Sequence, residues 1–255
     1  MLLALDTGNS DITIGLWDGN LWKYVWRIPT DSNQQELFYG IKIRDYFFEA
    51  NIVIAEITTI VLSSVVPDLT AKLRNVIEVV FDKEPIVLGP DIYNDLSIEV
   101  LNPYEIGSDL VANAVAAYDH YKRSCIVVDF GTALSFTTLS DEGRILGVSI
   151  APGLKTAIKS LTQNTAKLFD VPLEMPKSVL GSSTITAIQS GILFGYSGLV
   201  QSMVKEIRRE IQQEIPAIAT GGLSSIITPL KDFFDHIDAN LTLNGLRIIG
   251  QTIKP

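Results

Sequence analysis

Apolar positions along this chain come first in short runs closed by turn residues, then in longer runs of helical period. Leu2–Leu5 is a continuous apolar run ending at Asp6, the pattern of a fully buried strand. Thr7-Gly8-Asn9-Ser10 is turn chemistry, after which Ile12, Ile14 and Leu16 alternate with Asp11, Thr13 and Gly15 in a half-buried strand. Asp18-Gly19-Asn20 makes a second turn into a third strand, Leu21–Ile28. The spacing then predicts a helix over Gln35–Ala50, a strand over Ile60–Ser64, a helix over Leu69–Phe81, a strand over Pro85–Leu88 and a helix over Asp109–Tyr121.

The opening pattern then returns. Cys125–Val128 is a buried run ending at Asp129, Phe130-Gly131-Thr132-Ala133 is the turn, and Leu134–Leu139 the next strand. Asp141-Glu142-Gly143 turns into a third strand, Arg144–Ile150. Asp129 repeats Asp6, Gly131 repeats Gly8 and Asp141 repeats Asp18, an internal duplication too long for a solenoid. The expected architecture is therefore α/β: two related domains, 1–123 and 124–255, facing each other, each a mixed sheet flanked by helices. Beyond the repeat, helices are predicted over Leu154–Phe169, Thr184–Ile215 and from Leu223 to Leu230, with a short strand at Pro216–Thr220. Gly191, Gly195 and Gly198 lie on nearby faces of the long helix and would permit close packing, either within the chain or between subunits.

Composition narrows the function. In 255 residues, 47% are hydrophobic and the net charge is -9; the mean hydropathy is +0.27 and the pI about 4.7. Such a chain can bury a core, and it carries no basic footprint for nucleic acid. The most apolar stretch, Ile52–Val66, is broken by Glu56 and closed by Pro67 and Asp68, so no membrane span is expected. The start of the chain has no basic n-region, and a cytoplasmic protein is expected. The single cysteine, Cys125, lies in an apolar run, which excludes an internal disulfide framework and reads as a small buried hydrophobe. His120 and His236 read as surface or capping residues, which leaves acid–base chemistry to carboxylates.

Four segments could carry that chemistry. In Asp6-Thr7-Gly8-Asn9-Ser10 a strand delivers a carboxylate to a turn whose backbone N–H groups suit phosphate oxygens. Gly8 lets the backbone approach a ligand, and Asp6 suits a hydrated Mg²⁺. Asp129-Phe130-Gly131-Thr132-Ala133 is the same device again. Phosphoryl transfer needs positioning and charge neutralisation, which two such loops supply. Ala219-Thr220-Gly221-Gly222-Leu223 runs from a strand into a Gly-Gly turn that admits a flat base or ribose. Asn102-Pro103-Tyr104-Glu105-Ile106-Gly107-Ser108-Asp109 leads into a helix, where Asp109 is either an N-cap or the acceptor of a hydroxyl proton. No Walker A motif and no protein-kinase glycine loop with its lysine is present.

In this order, and with Ile150-Ala151-Pro152-Gly153 and Thr184–Gly191, the motifs resemble type III pantothenate kinase over essentially the whole chain. The resemblance implies a duplicated actin-like (ribonuclease H-like) ATPase fold. It implies transfer of the ATP γ-phosphate to the primary hydroxyl of pantothenate, in the first step of coenzyme A biosynthesis. Mg²⁺, a monovalent cation (K⁺ or NH₄⁺) and a homodimer with active sites at the subunit interface come with it. Asp6 would organise magnesium, and Thr7, Gly8, Asn9, Ser10, Thr132, Gly221 and Gly222 would hold the nucleotide. Asp109 would be the base, with Gly107, Ser108, Val100, Leu110, Ile150 and Thr184 on the substrate side, and Asp129 would bind the monovalent cation. The family usually has Arg where Leu110 stands, Tyr at Val100, Gly at Val148 and an acidic residue at Thr137. A lost guanidinium removes a fork-shaped donor that Lys155, Lys159 or Lys167 would replace only in part. The alternatives are a kinase of the same fold for another small alcohol, or a non-catalytic nucleotide-binding regulatory relative.

Overall fold

The computed structural model describes residues 1–165, 167–224 and 226–253. It divides into two compact units, Met1–Asp119 with Leu241–Pro255, and His120–Asn240.

In the first unit, β1 (Leu2–Thr7), β2 (Asp11–Trp17) and β3 (Trp22–Pro29) form an antiparallel meander. β4 (Thr59–Ser64) and β5 (Ile86–Val87) extend it in parallel, giving the order β3-β2-β1-β4-β5. In the second unit, β6 (Cys125–Phe130), β7 (Ala133–Leu139) and β8 (Ile145–Pro152) repeat the meander, while β9 (Ala217–Thr220) and β10 (His236–Ile237) add in parallel. The order is β10-β9-β6-β7-β8, the same arrangement.

The duplication extends to irregularities. The β2–β3 pairing slips between Leu16 and Trp17, and the β7–β8 pairing slips at the corresponding place, between Thr138 and Leu139. A bulge strengthens local twist and re-aims a strand, so both meanders are shaped alike. The first turn is one residue shorter in the second copy, since Thr7 pairs with Ile12 but Phe130 with Leu134. The repeated second-turn aspartates have diverged in role. Asp18 accepts the N–H groups of Asn20 and Leu21 at 2.9 and 3.1 Å. Asp141 accepts that of Ser124 at 2.7 Å. These backbone donors hold both carboxyls below the usual carboxylate range.

Helices cover the sheets. α1 (Glu36–Glu49) packs on α2 (Pro67–Phe81), burying Tyr39, Ile43 and Phe47 at helical spacing. Pro67 opens α2 and Asp82, at φ 53°, closes it. α3 (Ser108–Tyr121) buries Val111, Ala112, Ala114 and Val115. In the second unit α4 (Leu154–Gln163) packs on α5 (Thr184–Ile211), whose Leu193, Val200 and Val204 join the core under β6.

The structure departs from the expected elements in several places: α5 ends at Ile211 rather than Ile215, β10 is an added strand, and three departures matter more. α4 ends at Gln163, short of Phe169: the Asn164 amide and Thr165 hydroxyl take the carbonyls of Ser160 and Leu161. Residue 166, inside the expected helix, lies outside the described residues. No helix starts at Leu223 among the described residues. That stretch is a turn followed by a single 3-10 turn, Thr228–Leu230, where Pro229 lacks the N–H a helix needs; residue 225 is likewise outside the description. Third, α6 (Leu241–Thr252), where the sequence pattern predicts no element, packs on β1 and β4 of the first unit, so the C-terminal stretch departs from the expected 124–255 division. Gly245 and Gly250 lower the helical signal of this segment, yet they let it dock. A Cβ on Gly245 would overlap the Ala112 carbonyl of α3, and one on Gly250 would stand 2.5 Å from Val61.

Candidate active site

The first unit gathers its chemistry at the carboxyl edge of the parallel strands β1, β4 and β5. Asp6 sits near the end of β1, paired with Ser63 of β4 on one side and Thr13 on the other. The loop after it closes with the Gly8 N–H donating to the Asp11 carbonyl at 3.0 Å. Thr30, beyond β3, fixes this loop from outside. Its hydroxyl donates to the Gly8 carbonyl at 2.7 Å and its N–H to the Ser10 carbonyl at 2.9 Å. Asn9 and Ser10 are exposed, whereas the Thr7 side chain is buried and its hydroxyl has no hydrogen-bond partner among the described residues. Thr7 thus offers a phosphate only its backbone.

α3 is tied to the same edge. The Ser108 and Ser63 hydroxyls share a hydrogen bond of 2.9 Å, and the Ser64 N–H donates to Ser108 Oγ at 3.2 Å. Ser108, expected beside the substrate, therefore engages its hydroxyl on the protein side. This places Asp109 in the first helical turn, where the macrodipole favours a carboxylate. Its Oδ1 accepts the Leu110 N–H at 2.8 Å. Burial nevertheless pushes its pKa up, outweighing that hydrogen bond. Gly107 is beside it: a Cβ there would stand 2.5 Å from Asp109 Oδ1 and 3.5 Å from Val65. Val100 and Leu110 are half-buried.

The second unit builds a parallel arrangement. Asp129, near the end of β6, pairs with Ser135 and with Thr220 of β9. The Gly131 N–H closes the loop on the Ala133 carbonyl at 3.1 Å. The Thr132 carbonyl accepts the Gly153 N–H at 3.0 Å and the Thr156 hydroxyl at 2.7 Å. Gly153 is the counterpart of Thr30, so both loops are braced from the end of the third strand. Any side chain at Gly153 would run into the Gly131 and Thr132 carbonyls. Gly221, at φ 89°, lies against Asp129: its Cβ would be 2.5 Å from Oδ1 and 2.7 Å from the Phe130 carbonyl. The Ser224 hydroxyl donates to the Gly221 carbonyl at 2.9 Å and fixes the turn, while Gly222 is exposed. Ile150 on β8 and Thr184 at the start of α5 are also exposed, and Ser183 caps that helix through a reciprocal pair with Thr186.

Two features here were not legible as site residues in the sequence. Thr30 follows a strand in a polar stretch, and only its hydrogen bonds reveal the brace; its duplication counterpart, Gly153, was the available signal. Tyr93, in the 3-10 turn Pro90–Asp95 after β5, is buried, and its phenol is pushed up to about 12 by burial and by the nearby Asp109 carboxylate.

Two sheets of identical order, each with an aspartate near the end of its central strand beside a glycine turn, define an actin-like fold. MreB 5 of Spiroplasma citri, solved bound to AMPPNP, shares this fold: the TM-score is 0.56 at 11% identity, covering 98% of this chain and 96% of that one. The family model described as type III pantothenate kinase matches residues 2–206. The type III pantothenate kinase of Geotalea daltonii is 40% identical over 251 residues, 98% of each chain, and that of Geobacter sp. (strain M21) is 39% identical over 254 residues, 100% of each. The chain belongs to the type III pantothenate kinase family.

Proposed function

We propose that this protein transfers the γ-phosphate of ATP to the primary hydroxyl of pantothenate, giving 4'-phosphopantothenate for coenzyme A biosynthesis. The observation that carries the reading is Asp109: a carboxylate with a raised pKa, at the start of a helix, beside a glycine that leaves room for it. A raised pKa makes a stronger proton acceptor, so Asp109 takes the proton of the substrate hydroxyl as the hydroxyl attacks. The loops after Asp6 and Asp129 are the phosphate-binding elements, their carbonyls held on the protein side by Thr30 and by Gly153 with Thr156.

The donor chemistry fits hard cations, because the Asp6 and Asp129 carboxylates are oxygen ligands. In this reading Asp6 holds Mg²⁺ through water and Asp129 holds the monovalent cation, K⁺ or NH₄⁺. Bound there, the cations neutralise charge on the phosphates. Gly221 gives the Asp129 carboxylate its room. A homodimer is supported by α5. Gly191, Gly195 and Gly198 are exposed, and among the described residues no atom outside the helix's own backbone lies within 4 Å of a Cβ built on them, so their face is open rather than packed within its unit. A cytoplasmic enzyme fits that metabolic role, and among the described residues no helix is long and apolar enough to cross a membrane.

The deciding test is ADP release with ATP, Mg²⁺ and K⁺, with and without pantothenate, for the wild type and Asp109→Asn. Pantothenate-dependent ADP that disappears in the variant is the expected result. ATP binding without pantothenate-dependent ADP would overturn it, pointing to another alcohol or to a regulatory role.

A further inference from the structure

Tyr93 combines a buried ring with an unengaged hydroxyl. β1, β4 and β5 run parallel, so their carboxyl ends share one edge. Asp6 ends the first, Ser63 and Ser64 at the end of the second hold Ser108, and the turn carrying Tyr93 follows the third. Tyr93 as a residue is only 4% exposed. No hydrogen bond engages its hydroxyl among the described residues, yet that oxygen is not one of the fully enclosed polar atoms left without a partner, so the hydroxyl of an otherwise buried side chain stays within reach of a ligand. The hydroxyl is close enough to Asp109 to feel its charge, and with a pKa of about 12 it remains a protonated donor across the working pH range. Val100 and Leu110, the flanking positions expected on the substrate side, are apolar and offer no side-chain donor.

We infer that Tyr93 is a substrate-binding residue whose phenol donates a hydrogen bond to the secondary hydroxyl of pantothenate. The inference rests on the pantothenate kinase reading above. In pantothenate the two hydroxyls stand on carbons separated by a single quaternary carbon. A donor beside the group that takes the primary hydroxyl's proton therefore meets the secondary oxygen. The same contact orients the primary oxygen toward Asp109, a task that otherwise falls to apolar neighbours.

The test is steady-state kinetics of the wild type and Tyr93→Phe at saturating ATP, with pantothenate and with an analogue whose secondary hydroxyl is replaced by hydrogen. Removing one neutral hydrogen bond should raise KM for pantothenate about tenfold and leave KM for ATP unchanged. The analogue should carry a similar penalty in the wild type and no further penalty in Tyr93→Phe. Equal pantothenate KM in wild type and variant would overturn the inference, as would losses that add. A shifted acid limb of kcat/KM in Tyr93→Phe would also overturn it, by showing that the phenol acts through Asp109. Should the variant melt abnormally, the wild type alone decides: equal use of analogue and pantothenate removes the inference. A wild type without pantothenate-dependent ADP removes the functional reading itself, a distinct outcome from an active enzyme indifferent to Tyr93.

Discussion

The carboxylate of Asp109 occupies the space that a side chain at Gly107 would need, with a Cβ on Gly107 falling 2.5 Å from Asp109 Oδ1. Gly107 is therefore required for room rather than for an unusual backbone angle. The obstructing atom is the far end of a side chain, which can swing away. Gly107→Ala should consequently keep its fold and lose its rate. A displacement of about 1 Å at a reacting group costs on the order of 100-fold, so kcat should fall by about that factor while the melting temperature and KM for ATP hold. Parallel kinetics and thermal melts check this.

Asp109→Asn should abolish turnover yet stabilise the fold. Burial raises the folded-state pKa of Asp109 above its unfolded value. Between the two values the folded state binds more protons, so stability is lost as pH rises through that window and the ionised group is a burden at neutral pH. The neutral amide removes that burden. The melting temperature at pH 7 should rise, by roughly 2–4 °C for each kcal/mol relieved, and the gain should vanish below the unfolded carboxylate pKa.

The same shift fixes the acid limb of activity. A base must be deprotonated to act, so kcat/KM for pantothenate should rise with pH through the raised pKa of Asp109. The midpoint should fall above the ordinary aspartate value of about 3.9. A pH–rate profile in which the limb sits at or below that value would remove Asp109 from the role of base.

Gly221→Ala confronts two penalties. The backbone is at φ 89° and the new Cβ would meet the Asp129 carboxylate and the Phe130 carbonyl. The left-handed conformation alone costs about 1–2 kcal/mol for a residue with a Cβ. The variant should unfold at lower denaturant concentration, and K⁺ or NH₄⁺ should stimulate it less than the wild type.

Thr30→Val deletes one donor with little change in shape. It frees the Gly8 carbonyl that the Thr30 hydroxyl holds at 2.7 Å and leaves the N–H to Ser10 in place. A hydrogen bond of this kind is worth about 0.5–1.5 kcal/mol. KM for ATP should rise about two- to tenfold with KM for pantothenate unchanged.

The strand–turn–strand units were legible because period-two patterning and turn residues are local signals, and their recurrence at Asp6 and Asp129 added a long-range one. Asp109 and both glycine turns could be named as candidates on the same ground, and Gly107 through the family resemblance. Tyr93 and Thr30 could not, because what sets them apart is a neighbour distant in sequence: Asp109 for the one, Gly8 and Ser10 for the other. α6 escaped because its two glycines depress the helical signal, and what those glycines permit is close packing on Ala112 for the one and on Val61 and Leu2 for the other.

Sequence alone determined the duplicated meander, the order of the motifs and the identity of the carboxylates, since each depends on residues adjacent along the chain. Tertiary structure decided which of those groups are available. It turned the Thr7 side chain into the core, engaged Ser108 with Ser63, returned the last helix to the first unit and buried Asp109 enough to raise its pKa. Burial and hydrogen-bond partners arise from segments brought together only on folding, and a carboxylate's proton affinity follows those surroundings rather than its place in the chain.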